Sequence, residues 1–354
     1  MSKSTTRWRD RRRIVALGAA GLLALSASPA VLAQSPAASI VPGASVGLIT
    51  KTEVNPFFVT MRNAAQAKAD ELGIPFQACA GTSDVDVAGQ TTCIENMVAS
   101  GVTTILLTPG DPIGMVAPVE AAKAQGVKVI ALDTQMNPTE VADATFATDN
   151  YQAGLLIGQW AKAAMGDDAA NAVIALLDVS DGLQITTEVQ RNNGFLEGFG
   201  VDVVDKTIIG DETDPRIAGW AATDGNQDLG RTAMENLLAA NPNINLVYTI
   251  NEPAAAGAYE AINAAGKADD ILIVSVDGGC PGVQNVKDGI IGATSMQFPL
   301  VMAEMGVEAA ATGVIPPPSE GLPFTNTGVA LITDQPAEGV ESQDTTWGLE
   351  NCWG

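Results

Sequence analysis

The stretch ASVGLITKTEVNPFFVTMRNAAQAKADELG, residues 44–73, decides the fold. It opens with an apolar run, 44–50, that does not alternate with polar residues, as suits a strand covered on both faces. Asn55 then precedes Pro56, a capping residue followed by the residue best suited to a first helical position. Met61, Ala65, Ala69 and Leu72 fall on one stripe with Phe58, so a helix follows. Strand, polar turn and helix make the repeating unit of an α/β protein. Phe58 is read equally as core or as ligand contact. Phe57 lies off the stripe, which predicts an exposed aromatic at the mouth of the helix.

The same unit recurs outward from this stretch. IPFQACA (74–80), TTILLT (103–108), VKVIALD (127–133), NAVIALLD (171–178), NLVYTI (245–250) and ILIVSVD (271–277) are strand-like and separated by helix-length segments. Val87, Ile94, Met97 and Val98 mark one helix face. This alternation predicts doubly wound parallel sheets. So many elements, in 354 residues, predict two similar lobes rather than one sheet. Several strands end in polar residues, in LLTPGD, IALDTQ, TINEP and SVDGG. Ligands sit at the carboxyl ends of strands in open α/β sheets, although Asp or Asn there is also an ordinary helix cap. TGVIPPPSEGLPF (312–324) is too rich in proline for a helix and reads as an extended link into a last strand, TGVALIT (327–333).

Composition narrows the function. Residues 1–13 carry Lys3, Arg7, Arg9, Arg11, Arg12 and Arg13, an uncharged run follows from Ile14 to Leu25, and small residues end at Ala33. That order predicts a signal peptide over 1–33 and export to the periplasm or cell exterior. The apolar run is too short for a permanent membrane anchor, no Cys follows the cleavage site to carry a lipid, and the arginine run leaves a twin-arginine route open. Removing 1–33 leaves 12 Lys+Arg and 40 Asp+Glu, net −28. Such a surface repels nucleic acid and anionic lipid and suits a monomer. Four cysteines, Cys79, Cys93, Cys280 and Cys352, predict disulfides with three possible connectivities. The sequence contains no His, which removes Ser-His-Asp and Cys-His catalysis and most transition-metal sites. No GxGxxG follows a strand, AGKADD lacks the residues of a phosphate loop, and there is no GxSxG elbow. Neither a cofactor nor a metal is expected.

VGLITKTEVNPFFVTMRNAAQAKADELG is followed in order by LLTPGD, VIALDT, ATDNYQAG, RNNGFLEGF, TINEPAAAGAYEA and VSVDGGCPGVQNVKDGIIGATSMQFP. This ordered set resembles the periplasmic sugar-binding proteins of ABC transporters, the group typified by ribose-binding protein. The resemblance covers essentially all of the chain after the signal peptide. From Tyr248 to Pro299, with the CWG ending, it is most similar to the fructose-binding members. It implies two lobes, 44–148 plus 298–328 and 149–297 plus 329–354, joined by a three-segment hinge, with sugar between them. Position by position, it implies a polar rim of Asn55, Asp133, Arg191, Asn251, Asp277 and Gln297. Phe57 and Phe58 would cover the apolar sugar faces. Lys51, Thr108, Thr134, Thr148 and Glu252 are second-rank contacts. Thr108, Thr134 and Thr148 stand where ribose-binding members carry Asn, Arg and Ser; the smaller Thr134 leaves room for a hexose.

The pairings Cys79–Cys93, strand end to next helix, and Cys280–Cys352, strand-end loop to tail, are predicted. The expected function is capture of a neutral monosaccharide and its delivery to the permease of an ABC transporter, without catalysis. D-fructose is the first expectation, with ribose and mannose as rivals. An extracellular carbohydrate-active enzyme would need one acid held protonated beside a second carboxylate, and an Arg between them opposes that. A sensor presenting bound sugar to a chemoreceptor would use the same surface.

Overall fold

The computed structural model describes residues 39–354; the segment 1–33, expected to be a signal peptide, lies outside them. A first run comprises β1 (Val46–Thr50), α1 (Pro56–Leu72), β2 (Phe76–Ala80), α2 (Val87–Ala99), β3 (Thr104–Leu107), α3 (Val116–Ala124), β4 (Lys128–Leu132) and β5 (Ala144–Ala147). A second comprises α4 (Asn150–Met165), β6 (Ile174–Asp178), α5 (Thr186–Phe199), β7 (Ile217–Ala222), α6 (Gln227–Ala240), β8 (Leu246–Thr249), α7 (Glu252–Ala264), β9 (Leu272–Asp277), α8 (Cys280–Lys287) and β10 (Ala293–Met296). The chain closes with α9 (Pro299–Thr312), β11 (Thr325–Asn326), β12 (Ala330–Ile332) and α10 (Thr345–Asn351).

Two six-stranded sheets result, in the orders β11-β5-β4-β3-β1-β2 and β12-β10-β9-β8-β6-β7. The second order repeats the first, so the fold is two doubly wound α/β lobes. Among the described strands, β12 alone, against β10, runs antiparallel. Each sheet is covered on both faces by apolar clusters, one of them built by α1 and α9 around Met61, Phe146 and Met302 and another around Trp160, Phe195 and Tyr248. Besides the two-residue β11, Thr325–Asn326, three strands lack the apolar runs that mark the others. β5 is four residues long, β7 is a half-exposed edge strand reading IAGWAA, and β10 reads ATSM. Their pairing comes from neighbouring strands rather than from local preference. No helix among the described residues is long and apolar enough to cross a membrane.

The chain passes between the sheets after β5, after β10 and between β11 and β12. In the second lobe α4 and α5 pack backbone to backbone. A Cβ on Gly154 would lie 2.1 Å from the Arg191 carbonyl oxygen, and one on Gly194 would lie 2.2 Å from that of Tyr151. Small residues at this crossing therefore fix where Arg191 stands. Both predicted disulfides are present, Cys79–Cys93 joining β2 to α2 and Cys280–Cys352 tying the tail to the start of α8.

Candidate functional site

Residues at the carboxyl ends of both sheets meet in one cleft. Asp133, just after β4, and Asp277, at the end of β9, have positive φ of 63° and 146°. Such conformations are costly outside glycine and persist where the surroundings over-determine them. Arg191 of α5 reaches the cleft from the second lobe. Its Nε donates to Asn150 Oδ1 at 2.6 Å and its Nη1 to the Ile250 carbonyl at 3.0 Å. Its Nη2 then lies 3.8 Å from Asp133 Oδ1, while Lys51 Nζ of the first lobe is 3.9 Å from Asp133 Oδ2. One carboxylate is thus held between a cation from each lobe.

Asp277 accepts from the Glu252 backbone N–H at 3.2 Å and from Gln297 Nε2 at 3.0 Å. Burial pushes its carboxyl up to about 6, against the pull of Arg191 and these two donors. Burial, and then the charge of Asp277, push Glu252 up to about 8. Glu252 accepts from the backbone of Gly278 and Gly279 and from Thr294 Oγ1, at 2.8 to 3.0 Å. It braces the turn after β9, and its oxygens are taken by protein donors. Asn55 caps α1 by accepting from Phe57 N, and Asn251 caps α7 by accepting from Ala254 N, both at 3.0 Å. Each cap leaves amide hydrogens; one of those on Asn251 goes to the Gly225 carbonyl at 3.0 Å. Thr134 donates to Asp133 Oδ2 at 2.8 Å, and Thr108 to the Ile49 carbonyl at 3.4 Å. Thr148 Oγ1 and Gln297 Oε1 are buried without a protein partner.

Phe57 is not exposed: it and Phe58 are each only 3% accessible. The cover is Trp353, whose ring meets Phe57 edge-on at 5.3 Å and whose Nε1 donates to the Gln297 carbonyl at 2.9 Å. The helical stripe could not reveal this, because the covering ring comes from the far end of the chain. Across the cleft, Thr186 Oγ1 donates to the Gln135 carbonyl at 2.9 Å and Gln135 Nε2 to Gln190 Oε1 at 3.3 Å. Val85 packs on Val179, Ile185 and Ile250. The lobes are closed on one another. Sequence reading missed Trp353, Asn150 and two further cleft acids, Asp84 and Asp224. The last two lie in turns, GTSDVD and ATDGN, whose composition says only that they are turns.

No group of three or more His, Cys, Asp or Glu among the described residues could hold a metal ion. The cleft offers charged acceptors and two cations, the polar chemistry that surrounds a hydroxyl-rich ring. A groove of about 640 Å³ lies elsewhere, lined by Asn171, Asn245 and Ile271 at the amino ends of the second sheet's strands, away from these groups.

Comparison with known proteins agrees with this layout. The ribose import binding protein of Haemophilus influenzae is 31% identical over 84% of this chain and 92% of its own length. That of Salmonella typhimurium is 30% identical over 81% and 90%. A solute-binding protein of an ABC transporter from Agrobacterium vitis, solved with D-fucose, has the same fold, with a TM-score of 0.70 and 24% identity over 88% of this chain and all of that one. These relatives are binding proteins of importers, not enzymes. The model of the periplasmic binding protein domain matches residues 46–313. With that match over most of its length, and with two closed α/β lobes around a polar cleft, the chain belongs to the periplasmic binding protein domain family.

Proposed function

We propose that this protein is exported by way of the signal peptide at 1–33, captures a neutral monosaccharide in the cleft and delivers it to the permease of an ABC transporter. The observation that carries the reading is Asp133 of the first lobe held between Lys51 and Arg191, with Asp277 and Gln297 beside them. Two or more carboxylates against two cations leave no net positive charge to hold a phosphate or sugar acid. The names of the relatives agree with a sugar ligand, since they are ribose and D-apiose import binding proteins. D-fructose follows from the resemblance of Tyr248 to Pro299 and the CWG ending, and D-ribose from the relatives. The lobes divide at 148/149, 297/298 and 328/329, and the three linkers act as the hinge. A ligand that touches both lobes favours the closed form by its differential affinity.

Calorimetry of the protein without residues 1–33 against fructose, ribose, mannose, allose and glucose 6-phosphate tests the reading. One neutral sugar should bind tightly and the phosphate should not. Small-angle scattering should show compaction with that sugar. Tight binding of the phosphate, or an unchanged radius of gyration at saturation, would overturn it.

A further inference from the structure

Asp84 lies in the turn between β2 and α2 and is only 5% accessible. It faces Lys51, Asp133, Asp224 and Asp277. Among the described residues no donor is hydrogen-bonded to its carboxylate. A buried carboxyl without donors is costly, and a residue kept only for folding would be expected to have them. Asp224, in the turn between β7 and α6 of the second lobe, has φ of 49° and a buried Oδ1 with no partner. Asp224 and Asp84 act on one another electrostatically across the cleft, the Asp84 backbone N–H on the side of the Asp224 carboxylate.

Gly225 shows how closely these groups converge. A Cβ there would lie 2.8 Å from Asp84 Oδ2 and 2.9 Å from Asn251 Nδ2. Asn251 Nδ2 gives one hydrogen to the Gly225 carbonyl and keeps a second. An unused acceptor from one lobe and an unused donor from the other therefore stand beside the same small residue. That is the bracket that holds a hydroxyl, which both donates and accepts.

We propose that Asp84 and Asp224, with Asn251, form a second hydroxyl-binding corner of the cleft and set which hydroxyl pattern it accepts, a step that rests on the sugar-binding reading above. The ligand class is a neutral polyhydroxylated ring with a hydroxyl or hydroxymethyl group directed at this corner. Burial, with Asp224, Asp133 and Asp277 acting in the same sense and Lys51 against, pushes Asp84 up to about 7. Near neutrality it therefore donates as well as accepts. Four acids around two cations also make the corner hostile to anionic sugars.

The test uses Asp84→Asn and Asp224→Asn in the protein without residues 1–33, titrated with ribose, deoxyribose, allose, fructose and mannose. For the sugar that wild type binds tightest, each variant should weaken binding tenfold or more. The gap between that sugar and its epimer or deoxy analogue should shrink, so that the ranking changes. Unchanged affinities in both variants would overturn the proposal. So would a uniform loss with the ranking kept, which would make the pair a lobe-to-lobe contact only. Melting of the ligand-free variants shows whether each folds, and the Asp224 variant carries the test if Asp84→Asn does not. Should wild type bind none of the sugars, the sugar-binding reading itself falls, a result distinct from either failure of the pair.

Discussion

The two lobes share one strand order but place different chemistry behind it. The first brings Lys51 and Asp133 to the cleft above an apolar core that includes Phe57 and Phe58. The second buries polar groups in depth. Asn192 donates to both oxygens of Asp178, Glu188 takes both donors of Ser180, and Arg191 is anchored on Asn150. Tyr248 OH and Asn193 Oδ1 are buried there without partners. Burial raises Asp178, Glu188, Glu212, Asp224, Glu252 and Asp277 in the second lobe, whereas the first has Asp84. A repeated architecture fixes where strand ends point and leaves each lobe free in what it presents there. One lobe here is a stiff apolar platform, and the other a polar assembly sensitive to protons.

Arg191→Ala should break the contrast most. It leaves Asn150 Oδ1 without its donor and Asp133 with Lys51 as its one remaining cation, and loss of one partner from a buried charged set costs about 3–5 kcal/mol. Sugar affinity by calorimetry should fall a hundredfold or more. Lys51→Ala, on the same carboxylate from the first lobe, should cost about tenfold. The disulfides separate the lobes by stability. Cys280–Cys352 spans 72 residues and Cys79–Cys93 spans 14. Chain entropy then predicts about 4 kcal/mol for the first and about 3 kcal/mol for the second. Denaturant titration of Cys280→Ser/Cys352→Ser against Cys79→Ser/Cys93→Ser should give the larger loss in the second lobe. Asp277→Ala should weaken sugar binding by about 1.5–3 kcal/mol for each charged hydrogen bond lost, a ten- to hundredfold effect; full affinity in that variant would remove Asp277 from the site.

Proton dependence is the smallest effect. Asp277, Asp84 and Glu252 stand at about 6, about 7 and about 8 in the folded protein, above their ordinary values. Raised acids contribute stability that is full below their unfolded values and lost as pH rises through the folded ones. The melting temperature should therefore fall between about pH 5 and pH 8. Hydrogen exchange should quicken mainly in the second lobe. A melting temperature that rises over that range would reverse the assignment.

Much of this architecture is legible in the sequence. Unbroken apolar runs gave away β1, β3, β4, β6, β8 and β9, because a strand buried on both faces needs little else. β7 was hidden because its Ala- and Gly-rich edge carries no such signal, and β10 because its residues are as polar as a turn. Asp133, Arg191 and Asp277 could be picked out because strand ends and an ordered motif set point to them, and the structure brings all three into one cleft. Asp84 could not. Its burial depends on the opposite lobe, Gly225 above all, some 140 residues away in sequence. Trp353 was out of reach for the same reason: a contact between the ends of a chain leaves no local pattern.

Trp353 has a further consequence, in light rather than affinity. Cys352 ties this segment to the second lobe, while the Trp353 indole rests on Phe57 of the first and is 5% accessible. Any parting of the lobes at this point wets the indole and moves its emission to longer wavelength. Trp160, Trp220 and Trp347 pack within the second lobe and supply the background. If the lobes part as proposed, the protein carries a built-in fluorophore at that seam, and the colour of its emission reports opening and closing without a dye.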